Sequence, residues 1–266
     1  MSGQSNERLL RGLVPLGVAA LVLGSWEGLV AWLAIPKFVL PPPSMIWRAL
    51  VADWAILLPS LWFTLSLTLE AFLLATLAGI GLAVLCAKSR LMELAVMPYA
   101  IVLQVTPVVA IAPLIIIWCG LDNAPRALLI LATIVAFFPV LSSTLLGLRS
   151  VDHGLRNLFD LYHAPRWRVL WSLELPAALP HILSGLKMAG GLSLIGAVVA
   201  EFVAGSGTAT GLAWRIVESG NRLNIPRMFA ALILLSLVGI ALHLALKLAE
   251  RALLRHWHES HAQREN

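Results

Sequence analysis

Leu148 to Met188 reads LRSVDHGLRNLFDLYHAPRWRVLWSLELPAALPHILSGLKM and is the longest polar interruption in an otherwise apolar chain. Runs long enough to cross a bilayer flank it on both sides. Leu155, Leu158, Phe159 and Tyr162 fall at i, i+3, i+4 and i+7, the spacing of a one-sided helix. Pro165 interrupts the stripe, and Trp167, Leu170, Trp171 and Leu175 resume it. Pro176 and Pro180 are expected to end it, because proline lacks an amide hydrogen and clashes with the preceding turn. Two short amphipathic helices joined by a bend need something to cover their apolar faces. The stretch reads as a docking element for a soluble partner, with Asp160, Leu161, Tyr162, His163, Ala164, Pro165 and Arg166 at its tip. The rival reading is a loop resting on lipid headgroups.

Of the 266 residues, 59% are hydrophobic and 12% are charged. Soluble domains carry roughly 25% charged residues, so the composition is that of a membrane protein, and the fold class expected of its long apolar runs is all-α. A pI near 9.8 fits basic loops at a membrane surface rather than nucleic acid, since the charges form no single basic face. Six apolar runs exceed the ~20 residues that cross ~30 Å of hydrocarbon. They are Leu13–Ile35, Leu61–Ala87, Leu94–Cys119, Ala127–Leu148, Ser184–Ala204 and Met228–Leu248. Met45–Leu57 reads as an interfacial amphipathic helix. Pro98, Pro107 and Pro113 are expected to break the third run, and Gly185, Gly190, Gly191 and Gly196 to let the fifth approach a neighbour closely. The first run is too long and lacks the cleavage site of a secretory signal.

Lys and Arg divide unevenly between the loops. The set that includes both termini and the 149–183 segment holds 13, and the opposite set holds 6. The richer side is expected to be cytoplasmic. Cys86 and Cys119 then lie near opposite faces, too far apart to bond. No Gly-rich loop with Lys-Ser/Thr occurs; Gly205-Ser206-Gly207 lacks the lysine, so the chain is expected to hydrolyse no ATP itself.

Few polar side chains fall inside the runs. Glu70 lies near the middle of the second; a carboxylate there costs a few kcal/mol unless it faces a cavity or a partner. It either lines a solute path or pairs in helix packing. Gln104 and Thr106 precede Pro107 and either bind a polar solute or bond a neighbouring helix. Glu201 sits near the outer end of the fifth run, where it meets an outer partner, gates the mouth, or is a plain interfacial carboxylate. His243 reads as a packed or protonatable core residue without a ligand role, and no metal site is expected.

The spacing from His163 across nine residues to Leu173-Glu174-Leu175-Pro176 resembles the cytoplasmic loop of permeases of ABC importers. LPAALP (Leu175 to Pro180), GLKMAGG, GAVVAEF, LQVTPVVAIAPLIIIW (Leu103 to Trp118) and Trp257-His258-Glu259-Ser260 are similar to the nitrate/sulfonate/taurine type, and most to the branch associated with pyrimidine-like vitamin precursors. Asn157-Leu158-Phe159 stands where that family has Glu-Ala-Ala, and His163 where it has glycine. The resemblance implies a single permease domain over 1–266, its core at about 61–250, with the type I ABC-importer permease fold. It implies a bacterial inner-membrane homodimer forming the path for a small organic solute. Two cytoplasmic subunits would carry ATP-Mg and grip residues 160–166, and an extracytoplasmic binding protein would deliver the solute. This chain would bind no cofactor. A proton-coupled secondary transporter would show internal repeats, and a membrane-embedded enzyme a clustered catalytic set; these are the alternatives.

Overall fold

The computed structural model describes residues 2–120, 123–204 and 210–254. Gly205-Ser206-Gly207 and the Trp257–Ser260 motif lie outside the described residues. All regular structure among them is helical: α1 Ser2–Trp32, α2 Pro43–Ala52, α3 Trp54–Lys88, α4 Arg90–Val105, α5 Val108–Cys119, α6 Ala124–Arg149, α7 His153–Leu161, α8 Arg166–Val169, α9 Leu175–Ala204, α10 Leu212–Asn221 and α11 Ile225–Leu254. The backbone groups of lipid-exposed spans have no water to bond, so each span must be helical.

Five helices are long and apolar enough to cross a membrane, and the α4–α5 pair is bent by 106°. That pair also carries the chain from one face to the other. Ala100 of α4 packs with Leu145 and Leu148 at the C-terminal end of α6. Ala112 of α5 packs with Ala124, Leu128 and Leu131 at its N-terminal end. Glu93 in the first turn of α4 accepts hydrogen bonds from Arg149, the last residue of α6, one of them at 2.6 Å. The broken pair is therefore the third of six crossings.

Only Pro107 breaks that span. Pro98 and Pro113 are accommodated inside α4 and α5. Thr106 is extended (ψ 124°), the conformation a following proline favours, and its hydroxyl donates to the Val102 carbonyl at 2.6 Å. The second span begins at Trp54 rather than Leu61, with Pro59 inside α3, and the interfacial helix is correspondingly shorter. Pro176 and Pro180 do not end the second amphipathic helix. A π-helical turn, Leu170–Glu174, joins α8 to α9, making one rod from Arg166 into the fifth span. The wide turn holds the carbonyl four residues before Pro176 and eases its clash with that ring, while Pro180 sits inside α9.

α6 and α9 form the centre of the bundle. Lipid is as apolar as leucine, so no hydrophobic force drives spans together, and small residues permit the close approach that does. A Cβ on Gly147 would lie 2.7 Å from the His181 Cβ and 3.0 Å from the Ala178 Cα; one on Gly196 would lie 2.9 Å from the Ala132 Cα. Gly190 faces Leu246 of α11, while Gly191 faces open space and serves no contact. α1 stands apart from the bundle, tied by Trp26 against Phe229 and by Glu27, which accepts from the Ser44 amide and hydroxyl. His243 is exposed on α11 rather than packed in the core, because that face meets no other helix among the described residues. Cys86 and Cys119 are unbonded.

Gly147→Val should destabilise the bundle by about 1–3 kcal/mol through overpacking, since the Ala178 backbone cannot yield. Gly191→Ala should leave stability unchanged. Thermal unfolding of the detergent-solubilised variants checks both, and equal melting of the pair would refute the tight α6–α9 contact.

Candidate functional site

The polar stretch folds into a projecting helix and bend. Asp152 begins α7 by accepting from the Gly154 and Leu155 amides at 2.8 and 3.1 Å, the usual way to satisfy a helix's first N–H groups. α7 buries none of its residues. Leu161 and Tyr162 at its end are 75% and 76% exposed, an unusual display for large side chains on a loop. His163 has φ +48°, a left-handed conformation that costs an L-residue roughly 1–2 kcal/mol and glycine nothing. The bend thus needs glycine or a tolerant polar residue, which gives a physical reason for the glycine of the resembled pattern.

Ala164 and Pro165 complete the bend, and Arg166 opens α8. Leu158, Tyr162, His163, Ala164 and Pro165 line a groove of about 420 Å³. Behind it a charged cleft, lined by Lys88, Arg156, Asp160, Arg166 and Glu174, joins the bend to the last turn of α3. Arg156 lies 3.4 Å from Glu174 across it. The second apolar stripe splits. Leu170 is buried, while Trp167 and Trp171 are 60% and 67% exposed.

The polar residues of the spans do not converge. Glu70 is exposed at the middle of α3 and Gln104 is exposed near the end of α4. Thr106 is half-buried and bonded within its own helix. Glu201 is fully buried. Its Oε1 accepts from the Thr64 hydroxyl at 2.7 Å and its Oε2 from the Ala213 amide at 2.9 Å. The Thr64 oxygen in turn accepts from the Leu212 amide at 2.8 Å. A carboxylate at the first amides of α10 also meets the positive end of its dipole. Any side chain at Gly211 would collide with this carboxylate. Glu201 therefore locks the C-terminal end of α9 to α3 and α10.

Nearby ion pairs extend the lock. Arg215 donates to Ser60 at 3.0 Å and to Glu218 at 2.6 Å; this partner holds the Glu218 carboxyl below the usual carboxylate range. Arg227 grips Asp53 through two bonds of 2.7 and 2.6 Å. Sequence reasoning missed Thr64, Gly211 and these pairs as partners. Only Thr64 carried a signal, as a hydroxyl in an apolar run. Among the described residues no group of His, Cys, Asp and Glu is arranged to hold a metal ion.

The model of the family described as binding-protein-dependent transport system inner membrane component matches residues 75–255. The chain is 34% identical to the riboflavin transport system permease protein RibX of Chloroflexus aurantiacus, over 90% of this chain and 88% of that one. It is 30% identical to the putative aliphatic sulfonates transport permease protein SsuC of Bacillus subtilis, over 97% and 91% respectively. A crystal structure of an amino acid ABC transporter with histidines superposes with a TM-score of 0.63 at 19% identity, covering 79% of this chain and 97% of that one. That likeness carries the fold.

Glu201→Ala would leave the Thr64 hydroxyl and the Ala213 amide buried without partners, a loss of about 1–3 kcal/mol for each group. Glu201→Gln, which can donate to one and accept from the other, should lose far less. Unfolding of both variants in detergent measures the difference; an Ala variant as stable as the Gln variant would show that the buried bonds fix nothing.

Proposed function

Because the chain belongs to the family of binding-protein-dependent transport system inner membrane components, we propose that two copies form the pore of an ATP-driven importer. The chain is a membrane permease of ABC transport rather than an enzyme, as its relatives are. In this reading a cytoplasmic ATPase subunit binds each bend at residues 160–166, an outer binding protein delivers the solute, and ATP-Mg is held by the ATPase alone. Both termini face the cytosol. The solute is a small organic molecule, a heterocyclic vitamin precursor or a sulfonate- or nitrate-like anion. Glu70, Gln104 and Thr106 border its path, and Glu201 shapes the outer mouth from behind as a positioning residue.

One observation carries the reading: an exposed apolar tip joined to the bundle by a single rod. Among the described residues nothing covers Leu161 and Tyr162. From Arg166 the chain runs helically through the π turn to the Glu201 lock at the other face. A push on the bend therefore reaches the outer mouth without crossing a flexible joint. Closure of the ATPase pair on ATP moves the bends, and the rods reorient the outer ends. The two states of the pore are exchanged by rigid-body motion, and ATP shifts the balance between them.

Leu161→Asp with Tyr162→Asp places two charges at the contact. Interface energy concentrates in a few well-buried side chains, each worth roughly 2 kcal/mol or more. The double variant should insert normally, lose the ATPase on co-purification and abolish uptake. ATPase recovered at wild-type yield would remove the bend from the coupling.

Orientation has its own check. In a cysteine-free background, an impermeant thiol reagent should label Cys at Asn221 in intact cells and leave Cys at Arg156 unlabelled until the membrane is opened. Labelling at 156 from outside would reverse the topology.

A further inference from the structure

A second connection leaves the docking bend besides the rod. Arg149 is the last residue of α6, and Glu93 lies in the first turn of α4. Arg149 Nη1 donates to Glu93 Oε1 at 2.6 Å and its Nη2 donates to Oε2, while Arg90 donates to Oε2 at 2.7 Å. We infer that Glu93 and Arg149 are positioning residues of transport: they drive α4 as a lever, hinged at Ser89, whose far end is the Pro107 break. This rests on the importer proposed above, whose ATPase supplies the motion.

Arg149 belongs to the same block as the bend. Only Ser150, Val151 and Asp152 separate α6 from α7. The Ser150 hydroxyl donates to the Gly147 carbonyl at 2.8 Å, Val151 is buried, and Asp152 caps α7. The rod that leaves the bend is packed on the same end of α6. Gly147 fits against Ala178 and His181, and Leu148 shares an apolar cluster with Leu170. Every link from the bend to Arg149 is short and either bonded or packed, so a displacement of the bend reaches the guanidinium.

α4 has little else to hold it. Ala100 is its only buried residue, and Leu91, Leu94, Tyr99 and Val105 are mostly exposed. An element with few buried contacts moves at low cost. The contact of Ala100 with Leu145 and Leu148 is apolar, and such contacts are non-directional. Among the described residues Glu93–Arg149 is the one ion pair between α4 and another helix. Glu93 is 12% exposed and held by a two-pronged bond, the geometry in which an ion pair fixes position. Ser89 alone joins α3 to α4 and is extended (φ −139°). At the other end the chain turns by 106°. At 1.5 Å per residue, Glu93 lies about 6 Å from this hinge and the break about 25 Å. The lever ratio is therefore about four. A shift of about 1 Å at Arg149 relative to α3, the scale of helix shifts in switching proteins, moves the break by about 4 Å.

The test uses the purified complex of the full-length, cysteine-free permease with its ATPase. A spin label is placed by Val105→Cys near the break or, separately, by Leu91→Cys beside the hinge, and the distance between the two copies is measured with and without a non-hydrolysable ATP analogue. The analogue should change the distance at 105 by about 3 Å or more beyond its change at 91, as the lever lengths require. Glu93→Gln should reduce that excess to below about 1 Å, with the ATPase still co-purifying at wild-type yield. Arg149→Lys keeps the charge but loses the fork, and should give an intermediate excess. Exchanging the charges, Glu93→Arg with Arg149→Glu, should restore most of it, which a merely structural role would not do. No excess at 105 in the otherwise unaltered chain, an excess undiminished by Glu93→Gln, or an exchange variant that melts as the wild type yet restores nothing overturns the inference. If Glu93→Gln fails to assemble, Arg149→Lys decides, and an excess equal to that of the unaltered chain overturns the inference. A wild-type permease that retains no ATPase refutes the importer itself, which the same preparations detect separately.

Discussion

A carboxylate buried among apolar helices is costly unless its oxygens are bonded. Glu201 meets that requirement by accepting from Thr64 and from the first turn of α10. Much of the architecture at this face follows from this arrangement. α9 cannot shift at its C-terminal end without stripping those bonds, α10 is held over the bundle by its N-terminus, and position 211 has room only for glycine. The N-terminal end of the same helix is continuous with the bend around His163. One rigid element thus joins a fixed polar lock at one face to an exposed apolar tip at the other.

Prolines take three roles within this frame, and the lipid sets the terms for all of them. An unpaired backbone group in hydrocarbon costs several kcal/mol, so a break survives only where protein or an aqueous cavity covers it. Pro107 makes such a break, and the two half-helices then pack separately on the two ends of α6. Pro98, Pro113 and Pro139 stay inside helices. Pro176 follows the π turn directly, and Pro180 stays inside α9. Residue type alone does not separate these outcomes, because each depends on what lies beside the freed carbonyl.

The protomer leaves two conspicuous kinds of surface uncovered. The tip of α7 displays aliphatic and aromatic side chains where the chain is most polar. The middle of α3 displays a carboxylate where the surroundings are most apolar. Each contradicts its local solvent, and the importer proposed above would cover the first with an ATPase groove. Scattered leucines facing lipid need no such explanation.

Much was legible in the sequence because one-dimensional signals carry it. Span lengths are counts of apolar residues, and the amphipathic bend is a period of 3.6. These placed six crossings, the helix before Tyr162 and the bend at Pro165. What required the tertiary structure were relations between residues far apart in the chain. Thr64 meets Glu201 across 137 positions, Asp53 meets Arg227 across 174, and Gly147 fits against Ala178 and His181 because α6 and α9 run past each other. The fate of each proline belongs to the same class. Hydrophobic periodicity specifies which side of a helix is apolar, but it does not specify which partner lies at that side. In a bilayer, where both lipid and protein are apolar, only close packing and the pairing of buried polar groups decide that.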